Sequence, residues 1–371
     1  MVKYPSLLFI TIFTLTSCAK NSSEPKPEQQ ETPVIKSTVF FASVDSLLYS
    51  VDLEKGSINW TSKLGNVSVS SPTYSDNIIY IGNRDSSIYA IDATNGSFKW
   101  RFKTNGVISS SPIVNNKKLF FGSMDGYTYA LDAITGTLIW KLKVGEKAYG
   151  SPSINNNLLY ISAESVNGTN RFVFVAIDAT TGLEKWRSVS PSIYADCRLK
   201  QSIVFYGNSN KLIASDAVTG RFIWEFSATR SIFTNPIVSD SLVIASSDSL
   251  YALHWQSGKQ IWSFGNGQLS GLSPIKADSL IIHAYAPGSL SAIRLFDGSL
   301  KWQIIITGRF NTNPTVAETL IFIGSNDYLL YAFDEITGAV KWKLKTGNEI
   351  SSSACVVSKT GEVFHSSEAG Y

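Results

Sequence analysis

Cysteine and histidine are the residues best able to hold a metal or attack a carbonyl, and their spacing in this 371-residue chain suits neither task. Cys18, Cys197 and Cys355 form none of the close pairs that a zinc ribbon or a dithiol motif requires. His254, His283 and His365 show no ligand-like spacing, and the reading of His254 is structural, because it stands where other copies of a repeat carry a turn aspartate. No Gly-Lys-Ser/Thr phosphate loop and no Gly-x-Ser-x-Gly elbow occurs. The sequence therefore assigns no catalytic residue, no metal ligand and no cofactor, and a binding role is expected rather than an enzyme.

Cys18 has a chemistry of its own. Lys3 precedes an apolar run from Leu7 to Leu15, too short to cross a bilayer as a helix and suited to the core of a secretory signal. The run ends in Leu15-Thr16-Ser17-Cys18, which resembles a bacterial lipobox, where a diacylglyceryl group is attached to the thiol and the peptidase cuts ahead of it. Three acyl chains, at about 0.8 kcal/mol per buried CH₂, hold a protein stably where one does not. Ordinary cleavage near Ser17-Cys18-Ala19 is the competing reading. Ala19 behind the cysteine, by resemblance to proteobacterial sorting rules, points to the outer membrane. Residues 1–17 are thus expected to be a lipoprotein signal peptide and residues 18–37 a lipidated cysteine and disordered tether, since Pro25, Pro27 and Pro33 stand among acidic and amide side chains that cannot bury enough apolar surface to order themselves. Such a tether reaches at most roughly 60 Å at about 3.1 Å per residue.

The remaining chain, residues 38–371, is rich in what strands use. Hydrophobic residues make up 44% and charged residues only 16%, with 9 Trp, 16 Tyr and 20 Phe. A formal charge of +3, or +2 after loss of Lys3, creates no field strong enough to attract nucleic acid.

The tryptophans set the organisation. Trp60, Trp100, Trp140, Trp186, Trp224, Trp262, Trp302 and Trp342 follow one another at steps of 38 to 46 residues, and a glycine stands four positions before each. Four positions earlier again comes Asp in six copies, with His254 and Arg294 in the other two; two before that stands Ala, or Ser50 in the first copy. Within one copy, Ser111–Val114, Leu119–Gly122, Thr128–Asp132 and Thr137–Lys143 read as four short strands separated by Asn-Asn, Asp-Gly and Thr-Gly turns. In Asp132-Ala133-Ile134-Thr135-Gly136 the carboxylate can bond its own backbone and the glycine can take positive φ, which closes a hairpin.

Each indole, burying roughly 150–250 Å², can cement one blade interface, with the small residue at the alanine position leaving room for the neighbouring sheet. Four-stranded units repeated eight times fit radial closure: an all-β, eight-bladed β-propeller of four-stranded antiparallel blades. Residues 39–43 match a second strand and residues 351–356 a first strand, so the N- and C-terminal strands are expected to share blade 1. Glu362–His365 is a surplus strand-like segment that competes with residues 39–43. By repeat alignment Cys197 and Cys355 sit on blades 5 and 1, across the ring, and are expected to be free thiols. Trp255 breaks the pattern and is expected at a surface or turn.

Ala-x-Asp-x-x-x-Gly-x-x-x-Trp, as in Ala130 to Trp140, resembles the tryptophan-docking motif of the pyrroloquinoline quinone (PQQ) propellers over residues 39–371. That superfamily holds quinone-dependent dehydrogenases and also the cofactor-free BamB-like lipoproteins of outer-membrane assembly. Lipobox, length and blade number resemble the second group, which implies a non-enzymatic scaffold with a protein partner in the cell envelope, acting as a monomeric propeller. The adjacent cysteine pair, calcium site and long loops that the dehydrogenases imply find no match. A quinone-binding oxidoreductase and a polysaccharide-binding lipoprotein are the alternatives.

A binding site is expected on the face shared by loops entering first strands and loops between second and third strands. Three residues before the proline position only Tyr149, Tyr194 and Phe233, in blades 4 to 6, are aromatic. Blade 4 carries the one insertion, ending at Arg171, and blade 5 replaces Ser-Pro with Asp196-Cys197 followed by Arg198. Aromatic and arginine side chains are enriched at partner contacts, so Tyr149, Arg171, Tyr194, Asp196, Arg198 and Phe233 are the candidate partner-binding residues. The competing reading has the aromatics plug the channel mouth.

Overall fold

Each forty-residue unit becomes one antiparallel sheet because its four segments are short, rich in β-branched and aromatic residues and separated by turn formers; the second and third are buried on both faces and the fourth alternates. The computed structural model describes residues 36–165, 172–190, 196–265, 271–285 and 288–366, all strand, turn or loop. Eight sheets result; seven have four strands in sequential order and one has five. First and second strands are joined by tight turns, as at Asn116-Lys117, where both residues take positive φ of 49° and 59°, the backbone that matches strand twist. These turns and the hairpins between third and fourth strands lie at one end of every blade, here the turn face. Loops between second and third strands and between blades lie at the other, the loop face.

The core is divided into eight clusters, each shared by two consecutive blades. Phe40 and Leu48 of blade 1 meet Ile79 and Tyr89 of blade 2, and so on round the ring to Phe322 and Leu330 of blade 8 against Val39 and Tyr49 of blade 1. Burial therefore sits between sheets, so no blade has a complete core alone.

Blade 1 closes the ring. Thr38–Ala42 pairs with Leu47–Asp52 on one side and with Cys355–Val357 on the other. The surplus segment does not compete: Val363–His365 pairs with the far edge of Cys355–Val357 and adds a fifth strand at the centre of the ring. It occupies the channel beside blade 1, with Phe364 against the blade 8–blade 1 core and Val363 against the blade 1–blade 2 core.

The eight tryptophans stand on the outer strands and point to the next blade. Each indole Nε1 donates to a carbonyl there at 2.9–3.2 Å, from Trp60 to Ala93 O through Trp302 to Glu335 O, and Trp342 to Leu53 O completes the circle. The ring of each lies on the hairpin glycine of that next blade, where an added Cβ would come within 2.6–2.8 Å of indole carbons. The glycine is needed twice over, for φ of 67–75° and for contact distance.

The alanine position lies at the blade interface: Ala130 is the cross-strand partner of Trp140 in its own sheet, as Ser50 is of Trp60, and Ala130 is buried in the core shared with blade 4, while the glycine of the next blade receives the indole. One expectation is corrected here. Trp255 is in a turn but not at the surface. It is 8% exposed, in the blade 5–blade 6 core, and its carbonyl accepts from Trp224. It fills the position that Ala93, Ala133, Ala179 and Ala217 occupy elsewhere, and Lys200 lies 5.3 Å over its ring.

Candidate functional site

The Ser-Pro position builds a belt around the channel. Ser71 N donates to Ser111 Oγ, Ser111 N to Ser151 Oγ, Ser151 N to Asp196 Oδ1, and Asp196 N to Asn235 Oδ1. Asn235 N then donates to Ser273 Oγ, Ser273 N to Asn313 Oδ1, Asn313 N to Ser353 Oγ, and Ser353 N returns to Ser71 Oγ. Eight bonds of 2.8–3.2 Å thus close a circle, each joining one blade's backbone to the next blade's side chain. A short acceptor after the loop and before the first strand can meet this demand, which is why Ser, Asn and Asp all serve. Asp196 is its one ionisable member. Asn235 Nδ2 donates to its second oxygen at 3.2 Å, and burial pushes its carboxyl pKa upward against the opposing pull of Arg198.

Placed on this frame, the four described residues of the six sequence-derived candidates take different places. Phe233 is 40% exposed on the loop entering blade 6. Tyr149, on the loop entering blade 4, is half-buried with its ring edge-on to Phe172. Asp196 lies in the belt. Arg198 is on the first strand of blade 5, only 9% exposed, with Nη1 donating to Cys197 O at 2.8 Å, and it lines the channel. Arg171 and Tyr194 lie outside the described residues, as does Cys18.

Sequence reasoning missed the cavity. A space of about 1090 Å³ opens at the turn-face end of the channel, walled by the first strands of blades 5 to 7 and the Asn155-Asn156 turn of blade 4 and reaching in to Ser366 behind the fifth strand. Arg198, Lys200 and Lys276 stand on its wall. Lys200 Nζ donates to Ser239 O at 2.8 Å. The arc exists because the fifth strand fills the channel near blade 1 and leaves the opposite side open, a consequence that no local motif announces.

The same arc departs from the repeat on the loop face. In blades 1, 2, 3 and 8 an aspartate just ahead of the third strand accepts from a tyrosine four residues on: Tyr49 to Asp45, Tyr89 to Asp85, Tyr129 to Asp125 and Tyr331 to Asp327. Asp45 and Asp125 also accept backbone N–H groups of Gly347 and Asn105 from the preceding blade, so the clasp spans interfaces. Blade 4 has its insertion at this place, blade 5 has Asn208-Ser209, and blade 6 has a shorter Asp248–Tyr251 pair.

Among the described residues, the adjacent cysteine pair and calcium site that the quinone enzymes imply are not seen. Cys197 and Cys355 are buried, free thiols on different blades, and burial pushes both pKa values up, Cys197 to about 12. Among the described residues no three His, Cys, Asp or Glu side chains converge as a metal cage. His254 Nδ1 instead contacts Ser257 Oγ at 3.1 Å within its hairpin, and His283 is buried between blades.

Comparison with known proteins agrees with this fold. A crystal structure of BamB from Moraxella catarrhalis superposes with a TM-score of 0.66 at 16% identity, covering 80% of this chain and 96% of that one. A europium-containing methanol dehydrogenase gives 0.67 at 15% identity, over 80% of this chain and 81% of its own. The computationally designed Ika8 protein gives 0.65 at 14%, over 80% and 95%. At these identities the likeness is one of fold. In sequence, the outer membrane protein assembly factor BamB of Yersinia pestis is 32% identical over 53 residues, a stretch that is 14% of each protein. The family model described as outer membrane protein assembly factor BamB matches residues 17–113, 100–208, 175–304 and 246–368. With matches running almost unbroken along its length, the chain belongs to this BamB family of PQQ-like propellers.

Proposed function

We propose that the chain is a lipid-anchored, non-enzymatic scaffold of the bacterial outer membrane that docks a protein segment in the cell envelope through the loop face of blades 4 to 6. The observation that carries this reading is the concentration of departures on one arc. In blades 4 to 6 the Asp–Tyr clasp is interrupted or shortened, the belt serine gives way to Asp196 and Asn235 in two of the three, an aromatic residue stands three before the proline position in each, and Phe233 is 40% exposed at the rim. Propeller loops are free to vary without disturbing the sheets, so clustered variation marks the place where a surface has been adapted. Tyr149, Tyr194, Phe233 and Arg171 are the contacts proposed, with Asp196 and Arg198 holding the loops from beneath. Membership of the BamB family supports a partner in outer-membrane assembly. Cys18 supplies the anchor.

Crosslinking in native envelopes, followed by mass spectrometry, tests the reading. Wild-type protein should capture a protein partner that Phe233→Ser loses while its unfolding midpoint stays put. Identical crosslinks from both proteins would refute the docking arc. Cys18→Ser should leave the membrane fraction, and its retention there would refute the anchor.

A further inference from the structure

The chain joins the ring on the turn face. Ser37, directly before the second strand of blade 1, donates from Oγ to Glu318 Oε1 at 2.9 Å and accepts from Lys359 N at 3.0 Å; Glu318 lies in the turn between the first and second strands of blade 8, and Lys359 in the turn that follows the first strand of blade 1. An anchor at Cys18 would therefore be joined to the ring on this face, through the residues that separate Cys18 from Ser37.

That face also carries the exposed apolar side chains. Among the described residues, fourteen of nineteen exposed large hydrophobics lie in the hairpins between third and fourth strands or on the first two residues of outer strands; the other five lie toward the loop face. Hairpin tips are ordinarily polar, as Glu54, Thr94 and Gln256 are here. Phe296 is nevertheless 88% exposed, Val218 63%, Ile336 60% and Ile134 53%, at the tips of blades 7, 5, 8 and 3.

Two further features indicate what covers them. The tips are spread round the circumference with a cavity between, which suits a broad deformable surface better than the compact patch a globular partner needs. On the rim, Lys99, Lys185 and Lys341 are each paired with a hairpin aspartate at 2.9–3.3 Å and so present no bare charge to a polyanion.

We propose that the turn face rests on the bilayer, with Ile134, Val218, Phe296 and Ile336 at head-group level, and that the loop face looks away from the lipid toward its partner. The proposal rests on the Cys18 anchor. Tethering raises the local concentration of the face at the membrane, so weak insertion by a few side chains suffices to orient the ring.

The test uses full-length lipidated protein in phosphatidylethanolamine–phosphatidylglycerol vesicles, with an environment-sensitive fluorophore at Phe296→Cys or, on the loop face, Met124→Cys. Cys197 and Cys355 are buried and stay unlabelled in the folded protein. Quencher-bearing lipids should quench the label at position 296 at least twofold more than the label at 124, and aqueous iodide should reverse the order. Equal quenching, or stronger lipid quenching at 124, overturns the orientation and leaves the anchor standing. An N-terminal peptide whose mass shows no lipid on Cys18 overturns the anchor and the orientation together.

Discussion

Replacing Gly136 by alanine tests the docking of blade 2 on blade 3 with a control built into the same protein. Gly136 has φ of 72°, and an added Cβ would stand 2.6 Å from Cδ2 and 2.7 Å from Cε3 of Trp100. The left-handed backbone alone costs an alanine about 1–2 kcal/mol. Pushing the indole back adds an overpacking cost of about 1–3 kcal/mol. It also weakens the 3.2 Å bond from Trp100 Nε1 to Ala133 O, a net loss of about 0.5–1.5 kcal/mol. Gly136→Ala should therefore lose about 2.5–6.5 kcal/mol in urea unfolding followed by far-UV circular dichroism. Gly361, with φ of 83° and nothing within 4 Å of a built Cβ, isolates the backbone part, so Gly361→Ala should lose about 1–2 kcal/mol. Trp100→Ala should cost about 3–5 kcal/mol alone and leave Gly136→Ala only its backbone penalty when the two are combined. Equal losses at 136 and 361, or full additivity with Trp100→Ala, would refute the docking argument.

Three further outcomes are expected. His283 is 1% exposed, and burial holds its pKa down at about 3; the unfolded chain therefore takes up the proton first as pH falls, and stability drops from about pH 6.5 toward pH 3. Between pH 7 and pH 5 this loss is about 2 kcal/mol, and His283→Ile, restoring the residue type of Ile81 and Ile161, should remove that part of the slope in pH-dependent urea melts. In the belt, Ser111→Ala strands Ser71 N and should cost about 1–3 kcal/mol, whereas Ser111→Asn, copying Asn235 and Asn313, should restore most of it in the same melts. Cys197 and Cys355 should react with a maleimide only as fast as the protein unfolds, because buried thiols with raised pKa values are inert; rapid labelling counted by mass spectrometry would contradict their burial.

Much of this architecture was legible because it repeats. Eight Trp–Gly pairs at one spacing announce eight equivalent sheets, and the unmatched half-blades at the two ends announce closure. Pairing across blades was less legible. Ala130 and Gly136 are both small, and only geometry shows that the glycine, one blade on, is what a tryptophan meets. Trp255 misled because a large residue in an alanine slot reads as a break, yet the core beside Lys200 had room for it. The belt was hidden for a different reason: Ser, Asn and Asp before a strand look like ordinary turn residues until all eight are seen to share one donor pattern. Asp196 and Arg198 were found as deviations, but which side of the first strand each uses depends on the pleat and the channel. The fifth strand was visible as a segment, and its place inside the ring follows from the one free edge that blade 1 offered it.

The central claim is that one circle of docked indoles holds the two ends of the chain in a single closed ring. Hydrogen exchange of the tryptophan indole N–H groups, resolved by NMR, tests it most directly. Trp342, whose Nε1 reaches Leu53 O across the closure at 2.9 Å, should exchange as slowly as Trp100 and Trp302, all three opening only with the whole ring. Exchange of Trp342 orders of magnitude faster than the others would show an open array whose ends are not locked together.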